Sequence, residues 1–446
     1  MNRLAGRMSI NLWMIINLWM IINLSLIESL IGGDGQGGFQ SRPARATPVD
    51  AGIVRSSGQP AARPAEDPFP AATPGSQGVS RQALERLAGL VTGFVAAEEI
   101  VGAELLVIKN RRTVMHEVFG DDDPDQEQKL SPNTIFSIRS MTKPLVGTVA
   151  QMLIEEGVLG LSDPVAKYLP SFDNQASATV TLQHLLTHRS GFPMQSAGTL
   201  WSDYSSYSSV RQIADYWGET GPRLFEPGTQ YQYADANVDI LAAVIEQATG
   251  HPAESVIERR LLQPLGMRDT IPLLREGDPR VGRVAGKHAG GRGRWRMFWR
   301  WNGQPYFPFP MFAQGFYSTP VDYARFLAML CDGGVVDGQP LVAETAVERI
   351  LTPVSSTTMP TGFAGLGSSY GQLMHLYERD GEVVAFGHSG SDGTYAWVWP
   401  AEDLMVLYFT QSRGSITMTR MEAVIDSLLA RPVPSAPVQP AGDRGW

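Results

Sequence analysis

The chain of 446 residues has one cysteine, Cys331, and only seven histidines. A single cysteine excludes an intrachain disulfide framework and a cysteine-based zinc site. With no second cysteine or histidine beside it, Cys331 reads as a small buried hydrophobe. Positive charge is scarce as well: 36 Lys and Arg against 45 Asp and Glu leave a net charge of −9. A general nucleic-acid binder needs a basic surface, so no nucleic-acid partner is expected. With 43% hydrophobic and 18% charged residues, the composition is globular, and the length suits two or three domains or one large body with insertions.

The longest apolar stretch is not clean. Residues 10–27 read "INLWMIINLWMIINLSLI", three copies of a six-residue unit that follow Arg3 and Arg7. Basic residues before an apolar run suggest an export signal or a retained anchor, yet Asn11, Asn17 and Asn23 recur inside it and each costs free energy in lipid. The favoured expectation for residues 1–31 is export, periplasmic or membrane-anchored, with membrane association through this segment. The alternative is a translated artefact upstream of the true start, which leaves a cytoplasmic protein. Residues 32–78, rich in Gly, Pro, Ala and Ser, read as a flexible linker, and 432–446 as a disordered tail. The folded unit is then 79–431.

That unit opens with a helical pattern, "SRQALERLAGLVTGFVAAE", and continues with "AELLVIKNRRTVMHEVFG", two apolar strands around a short turn. Near the other end, Asp380-Gly381 separates two strand-like runs, Pro400-Ala401-Glu402 separates two more, and "TMTRMEAVIDSLLA" closes the unit as a helix. Residues 140–350 are mostly helical with loops. The expected fold class is α+β: five antiparallel strands drawn from both ends of the chain form one sheet flanked by helices, beside a largely helical region. A cleft between the two regions is a natural site.

Three stretches carry chemistry. In "SIRSMTKPL" Ser140 and Lys143 are one helical turn apart. Apolar residues at 141, 145, 146, 149, 152 and 153 mark a helix, and Pro144 is tolerated in its first turn. Ser140 therefore sits at or near a helix N-terminus, which favours developing negative charge. A lysine in a water-poor place is expected to have a depressed pKa and to accept the serine proton. Taken alone, the four residues favour the plainer reading of an N-cap serine followed by a surface lysine. Tyr233, in "YQYADANVDILAAVIEQATG", stands before a helical run, where a phenol can relay a proton; an isolated tyrosine is more commonly a core ring with a surface hydroxyl. In "FGHSGSDG" a strand ends at His388-Ser389-Gly390-Ser391, where a free backbone N–H can complete an oxyanion hole. Ser389 is not a nucleophile elbow, because Ser391 replaces the final glycine and no strand-to-helix turn is expected.

The order of these motifs resembles the serine β-lactamase and penicillin-binding superfamily, and more closely its class C β-lactamase-like esterases and D-amino-acid peptidases. Residues 180–193, 225–250, 261–270 and 314–334 are similar to that family's helix, loop and turn segments. The resemblance implies a β-lactamase/DD-peptidase-like fold, Ser140 as the acylated nucleophile, Lys143 as its base and Tyr233 as the proton shuttle. It also implies an oxyanion hole formed by the backbone N–H groups of Ser140 and Ser391. Two positions depart from the family pattern. Tyr-x-Asn reads Tyr233-Ala234-Asp235, placing a carboxylate where an amide grips a β-lactam side chain. Lys-Thr-Gly reads His388-Ser389-Gly390, replacing a fixed charge with a mostly neutral imidazole. Both substrate-contact positions point toward a small neutral ester and a carboxylesterase on short- to medium-chain substrates. The rivals are a D-stereospecific peptidase, amide hydrolase or weak β-lactamase and, of another class, a non-catalytic penicillin-binding or sensor protein.

The family position of loop 292–312 implies Trp295, Phe298, Trp299 and Trp301 as a hydrophobic wall of the acyl pocket, with an ordinary packed loop as the equal alternative. His184 and His188 have the spacing of a helical metal pair, but no third ligand is evident and no metal is expected. No organic cofactor is expected either. Asp121, Asp122, Asp123 and Asp125 lack calcium-loop spacing and read as a solvated turn.

Overall fold

The computed structural model describes residues 67–194, 206–357, 362–363 and 365–429. The repeat at 10–27, the first part of the linker and the tail lie outside the described residues. Among the described residues no helix is long and apolar enough to cross a membrane.

The main sheet has nine strands, numbered here in chain order. They are β1 (Gly102–Lys109), β2 (Arg112–Asp123), β3 (Gln128–Lys129), β4 (Ser355–Ser356), β5 (Gly367–Tyr370), β6 (His375–Arg379), β7 (Glu382–Gly390), β8 (Thr394–Trp399) and β9 (Leu404–Thr410). Their spatial order is β4-β5-β6-β7-β8-β9-β1-β2-β3, with every adjacent pair antiparallel. The two ends of the chain meet where β1 pairs with β9, Leu105 opposite Tyr408 and Leu106 opposite Leu407. The β1–β2 and β6–β7 hairpin turns use left-handed residue pairs, Asn110 and Arg111 at φ 52° and 57°, and Asp380 and Gly381 at 53° and 84°. Such turns match the twist of the flanking strands. Strands β3, β4 and β5 are two to four residues long, too short to show a hydrophobic period.

β1 is apolar along nearly its whole length because both faces of the sheet are covered. Leu105 and Val107 face a core shared with Leu84, Leu87, Val91 and Phe94 of α1 (Arg81–Ala96) and Met421 and Ile425 of α6 (Met418–Leu429). Leu106 and Ile108 face the larger core. That core is built on α2 (Thr142–Glu155), α3 (Val210–Glu219), α4 (Ala236–Thr249) and α5 (Pro320–Cys331). Residues 142–153 of α2 and 236–245 of α4 are buried without a break. A helix buried on every side must be apolar all round, and the polar residues it keeps need internal partners. Each fully buried Leu or Phe stabilises the fold by about 1.5–3 kcal/mol.

Two sequence expectations change here. The folded unit begins before residue 79: Phe69 is buried, Ala71 bridges to Thr113, and Thr113 donates from N and Oγ1 to the Pro70 and Phe69 carbonyls. One phenylalanine in a Pro- and Ala-rich stretch gives no periodicity to read. The acidic run is not a solvated turn, since Asp122 is buried, accepts from the Gly286 N–H at 2.8 Å and pairs with Arg300 at 2.8 Å.

Candidate active site

Ser140 lies in a one-turn 3₁₀ segment, Arg139–Met141, that runs straight into α2. Lys143, one turn on, points back at it. Lys143 Nζ is 3.0 Å from Ser140 Oγ, 2.7 Å from Asp235 Oδ1 and 2.8 Å from the Ala313 carbonyl oxygen. Three acceptors match the three donors of an ammonium ion. Lys143 is wholly buried, while Ser140 and Tyr233 keep partial exposure and the Asp235 side chain is 15% exposed. A substrate can therefore reach Ser140 but not the lysine behind it.

Asp235 occupies the N-cap position of α4 but makes no cap hydrogen bond, because its side chain reaches across to Lys143. The carboxylate at this expected substrate-contact position bonds to the lysine. The pairing corrects the expectation of a depressed lysine pKa. Burial does work to lower it, but the Asp235 carboxylate and Tyr233 outweigh that penalty and the net shift is upward. The resting site holds an ammonium–carboxylate pair.

One turn further along α4, buried Asp239 accepts from the Phe312 and Ala313 N–H groups at 3.0 and 3.1 Å. It thereby holds the backbone whose carbonyl receives Lys143. Burial and the neighbouring Asp235 push its pKa up to about 7.

Tyr233 stands in the loop before α4, with its ring centroid 4.8 Å from Lys143 Nζ and its phenol close enough to Lys143 and Ser140 that both act to lower its pKa. Burial raises its pKa, so the phenol is protonated at neutral pH. The ring rests on His188, centroids 4.5 Å apart. His188 Nδ1 accepts from the Ala234 N–H at 3.3 Å and lies 2.8 Å from the Asn237 amide nitrogen, and the His188 carbonyl accepts from the Gln232 N–H at 2.9 Å. Along the sequence His188 shows only the spacing of a metal pair with His184. Its partners instead make it the platform under Tyr233, whereas His184 is turned away and accepts from the Thr181 N–H in a helix cap.

His388 completes the cluster at the end of β7. Its Nε2 is 2.9 Å from the Tyr370 hydroxyl and its Nδ1 accepts from the Ser389 N–H at 2.9 Å. Burial, then the nearby Lys143, pushes its pKa down to about 3, so the imidazole is neutral at any ordinary pH. Ser389 is half-buried and Gly390 buried, and exposed Ser391 opens the turn between β7 and β8.

The loop that carries Trp295, Phe298, Trp299 and Trp301 packs on the body of the fold, as in the equal alternative of an ordinary packed loop. Trp295 donates from Nε1 to the Glu98 carbonyl at 2.8 Å, beyond the end of α1. Trp299 and Trp301 pack on a satellite core of Ile135, Ile271, Leu274, Val284 and Tyr317, and the Phe298 ring lies 4.4 Å from the Arg413 guanidinium. The rings that do gather beside Tyr233 are Tyr370 and, next to it, Tyr231. Tyr231 is two residues before Tyr233, whereas Tyr370 comes from a distant stretch of the chain and no local pattern announces it.

A serine at a buried helix start, bonded to a lysine one turn on and faced by a tyrosine, beside a sheet of antiparallel strands, defines an active-site-serine hydrolase of the β-lactamase and penicillin-binding type. The Beta-lactamase family model matches residues 87–430, and the chain belongs to that family. Esterase EstB of Burkholderia gladioli is 30% identical over 202 residues, 41% of this chain and 50% of EstB, so the match spans half of that relative's length. Protein Rv1367c of Mycobacterium tuberculosis is 25% identical over 361 residues, 72% of this chain and 88% of the relative. Among solved structures, EstCE1, described as a hydrolase with promiscuous acyltransferase activity, aligns at TM-score 0.67 and 19% identity, covering 78% of this chain and 98% of its own. The octameric penicillin-binding protein homologue from Pyrococcus abyssi aligns at 0.64 and 24%, covering 78% and 77%. These likenesses show the shared fold.

Proposed function

We propose that the protein is a carboxylesterase that acts on short- to medium-chain esters through an acyl-enzyme on Ser140. The observation that carries this choice is the charge state around Ser140. Lys143 is engaged by Asp235 and His388 is held neutral, so among the described residues the side chains that gather on Ser140 offer no unpaired cation to a substrate carboxylate. Penicillins and peptidoglycan peptides bring such a carboxylate; a simple ester does not. The match to Esterase EstB supports the same reading.

In this mechanism Ser140 Oγ attacks the ester carbonyl and its proton passes to the Lys143–Tyr233 pair. The pair must first have lost one proton, which the Asp235 carboxylate disfavours. The backbone N–H groups of Ser140 and Ser391 stabilise the oxyanion, typically a factor of about 10²–10³ for each donor. The alcohol leaves with a proton from the pair, water attacks the acyl-enzyme by the reverse path, and the acid departs. No step calls on a metal or organic cofactor.

The test is p-nitrophenyl butyrate hydrolysis by wild type and Ser140→Ala, with nitrocefin alongside. Loss of butyrate turnover by about 10³-fold or more, with nitrocefin slow, supports the proposal. Turnover that survives Ser140→Ala removes the nucleophile, and nitrocefin cleaved faster than the ester removes the substrate class.

A further inference from the structure

Arg139, the residue immediately before Ser140, is fully buried and has a left-handed backbone, φ 46°. For a residue with a Cβ this conformation is unfavourable and persists only where the surroundings enforce it. The enforcement is visible. Arg139 Nε donates to Asp392 Oδ2 at 2.6 Å, and both side chains are 1% exposed. Asp392 is the residue immediately after Ser391. Between them, Gly390 is packed so closely that a Cβ there would stand 2.5 Å from the Ile138 carbonyl oxygen and 3.1 Å from Arg139 Cβ. The Thr394 hydroxyl also donates to that carbonyl, at 3.4 Å.

Around the same carboxylate, Arg413 Nε donates to Oδ1 at 2.8 Å, and Lys287 Nζ lies 3.4 Å from Oδ2 while donating to Ser137 Oγ at 2.8 Å. The Arg139 guanidinium stacks over the Tyr306 and Phe307 rings, at 5.0 and 5.8 Å, and its two terminal nitrogens have no hydrogen-bond partner. A buried ion pair is a poor source of stability compared with apolar packing of the same volume. A geometric role explains its placement better than a stabilising one.

We infer that the Arg139–Asp392 ion pair is a positioning device for the oxyanion hole, tying the residue before one N–H donor, Ser140, to the residue after the other, Ser391. The inference rests on the reading of Ser140 as the acylated residue. Arg139 and Asp392 touch neither substrate nor reacting atoms; they act through the two backbone N–H groups. Their cost would appear in kcat, since an oxyanion donor is used more strongly in the transition state than in the ground state.

The experiment compares wild type with Asp392→Asn, Arg139→Lys and the double variant, each checked for folding by thermal unfolding. Butyrate hydrolysis is read as kcat and KM. Labelling of Ser140 by a fluorophosphonate probe is read as a rate; there the serine oxygen bonds to phosphorus, fluoride leaves, and the serine proton goes to the Lys143–Tyr233 pair. Asp392→Asn is expected to lower kcat and the labelling rate about 100-fold, Arg139→Lys about 10-fold, with KM within about threefold of wild type. The double variant is expected to be no worse than Asp392→Asn alone, because a broken pair cannot be broken twice. Folded single variants with wild-type kcat and labelling rate, losses confined to KM, or losses that multiply in the double variant overturn the inference. If Asp392→Asn does not fold, Arg139→Lys decides alone, and a kcat within about twofold of wild type overturns it. If wild type labels at Ser140 but does not turn over the ester, the esterase reading fails, and the labelling rates still decide the positioning role.

Discussion

Lys143 and Arg139 stand on either side of Ser140, three residues after it and one before it, and each is paired with an aspartate from far along the chain. The pairs are built differently. Lys143 faces Asp235 one to one, and the Asp235 side chain is partly open to solvent. Arg139 shares Asp392 with Arg413 and Lys287, and the Arg139, Asp392 and Lys287 side chains are each 1% exposed. A lysine can give up its proton, whereas a guanidinium in a protein cannot. In the proposed mechanism the first pair is therefore the place where protonation changes during turnover, and in the inferred positioning role the second is the place where geometry is fixed. The same two charges, set differently against solvent, do different work.

The largest break in that contrast comes from Lys143→Met. It removes the proton acceptor and leaves Asp235 without its partner, and kcat/KM for p-nitrophenyl butyrate is expected to fall about 10³-fold or more at every pH. Retention of activity within tenfold would make Tyr233 the sole base. Asp235→Asn should sharpen the contrast in the opposite direction. Removing the carboxylate takes away the main support for the charged lysine, so its pKa falls and the active, proton-poor form appears at lower pH. The rise of kcat/KM with pH is expected to move toward acid, and activity at pH 7 to increase about tenfold. A pH–rate profile measures this; a fall in activity with an unmoved profile would show that Asp235 takes part in another way.

The smallest effect is on stability. Asp239 has its pKa raised from the ordinary 3.8 to about 7. The folded state then binds the proton more tightly than the unfolded chain, and stability falls as pH rises from about 4 to about 7. Asp239→Asn keeps an acceptor for the Phe312 and Ala313 N–H groups and cannot ionise. Its Tm relative to wild type should therefore rise by a few degrees between pH 5 and pH 8. A difference in Tm that stays constant with pH would show that Asp239 does not titrate in that range.

Much of the framework was legible along the chain. The helical period from Arg81 to Ala96 and the Asp380-Gly381 turn appear where the sequence places them, because each depends on neighbours within a turn or a hairpin. The start of the folded unit was misplaced by about ten residues, because Phe69 is held by strand β2 and not by its own segment. Five strands are expected in the sheet and nine occur; β3, β4 and β5 are short, have no period and exist only by pairing.

At the site the same division holds. Sequence by itself determined that Ser140 and Lys143 lie within one helical turn and so can meet, and that an imidazole and a carboxylate stand where the family pattern has a lysine and an amide. Only the tertiary structure decided that Asp235 turns onto Lys143, that His188 underlies Tyr233, and that Arg139 reaches Asp392 across 253 residues of chain. A side chain's partner in a buried site is set by which backbone segments the core brings together, and its charge state by that partner and the loss of water. Neither is written in the residue's neighbours along the sequence.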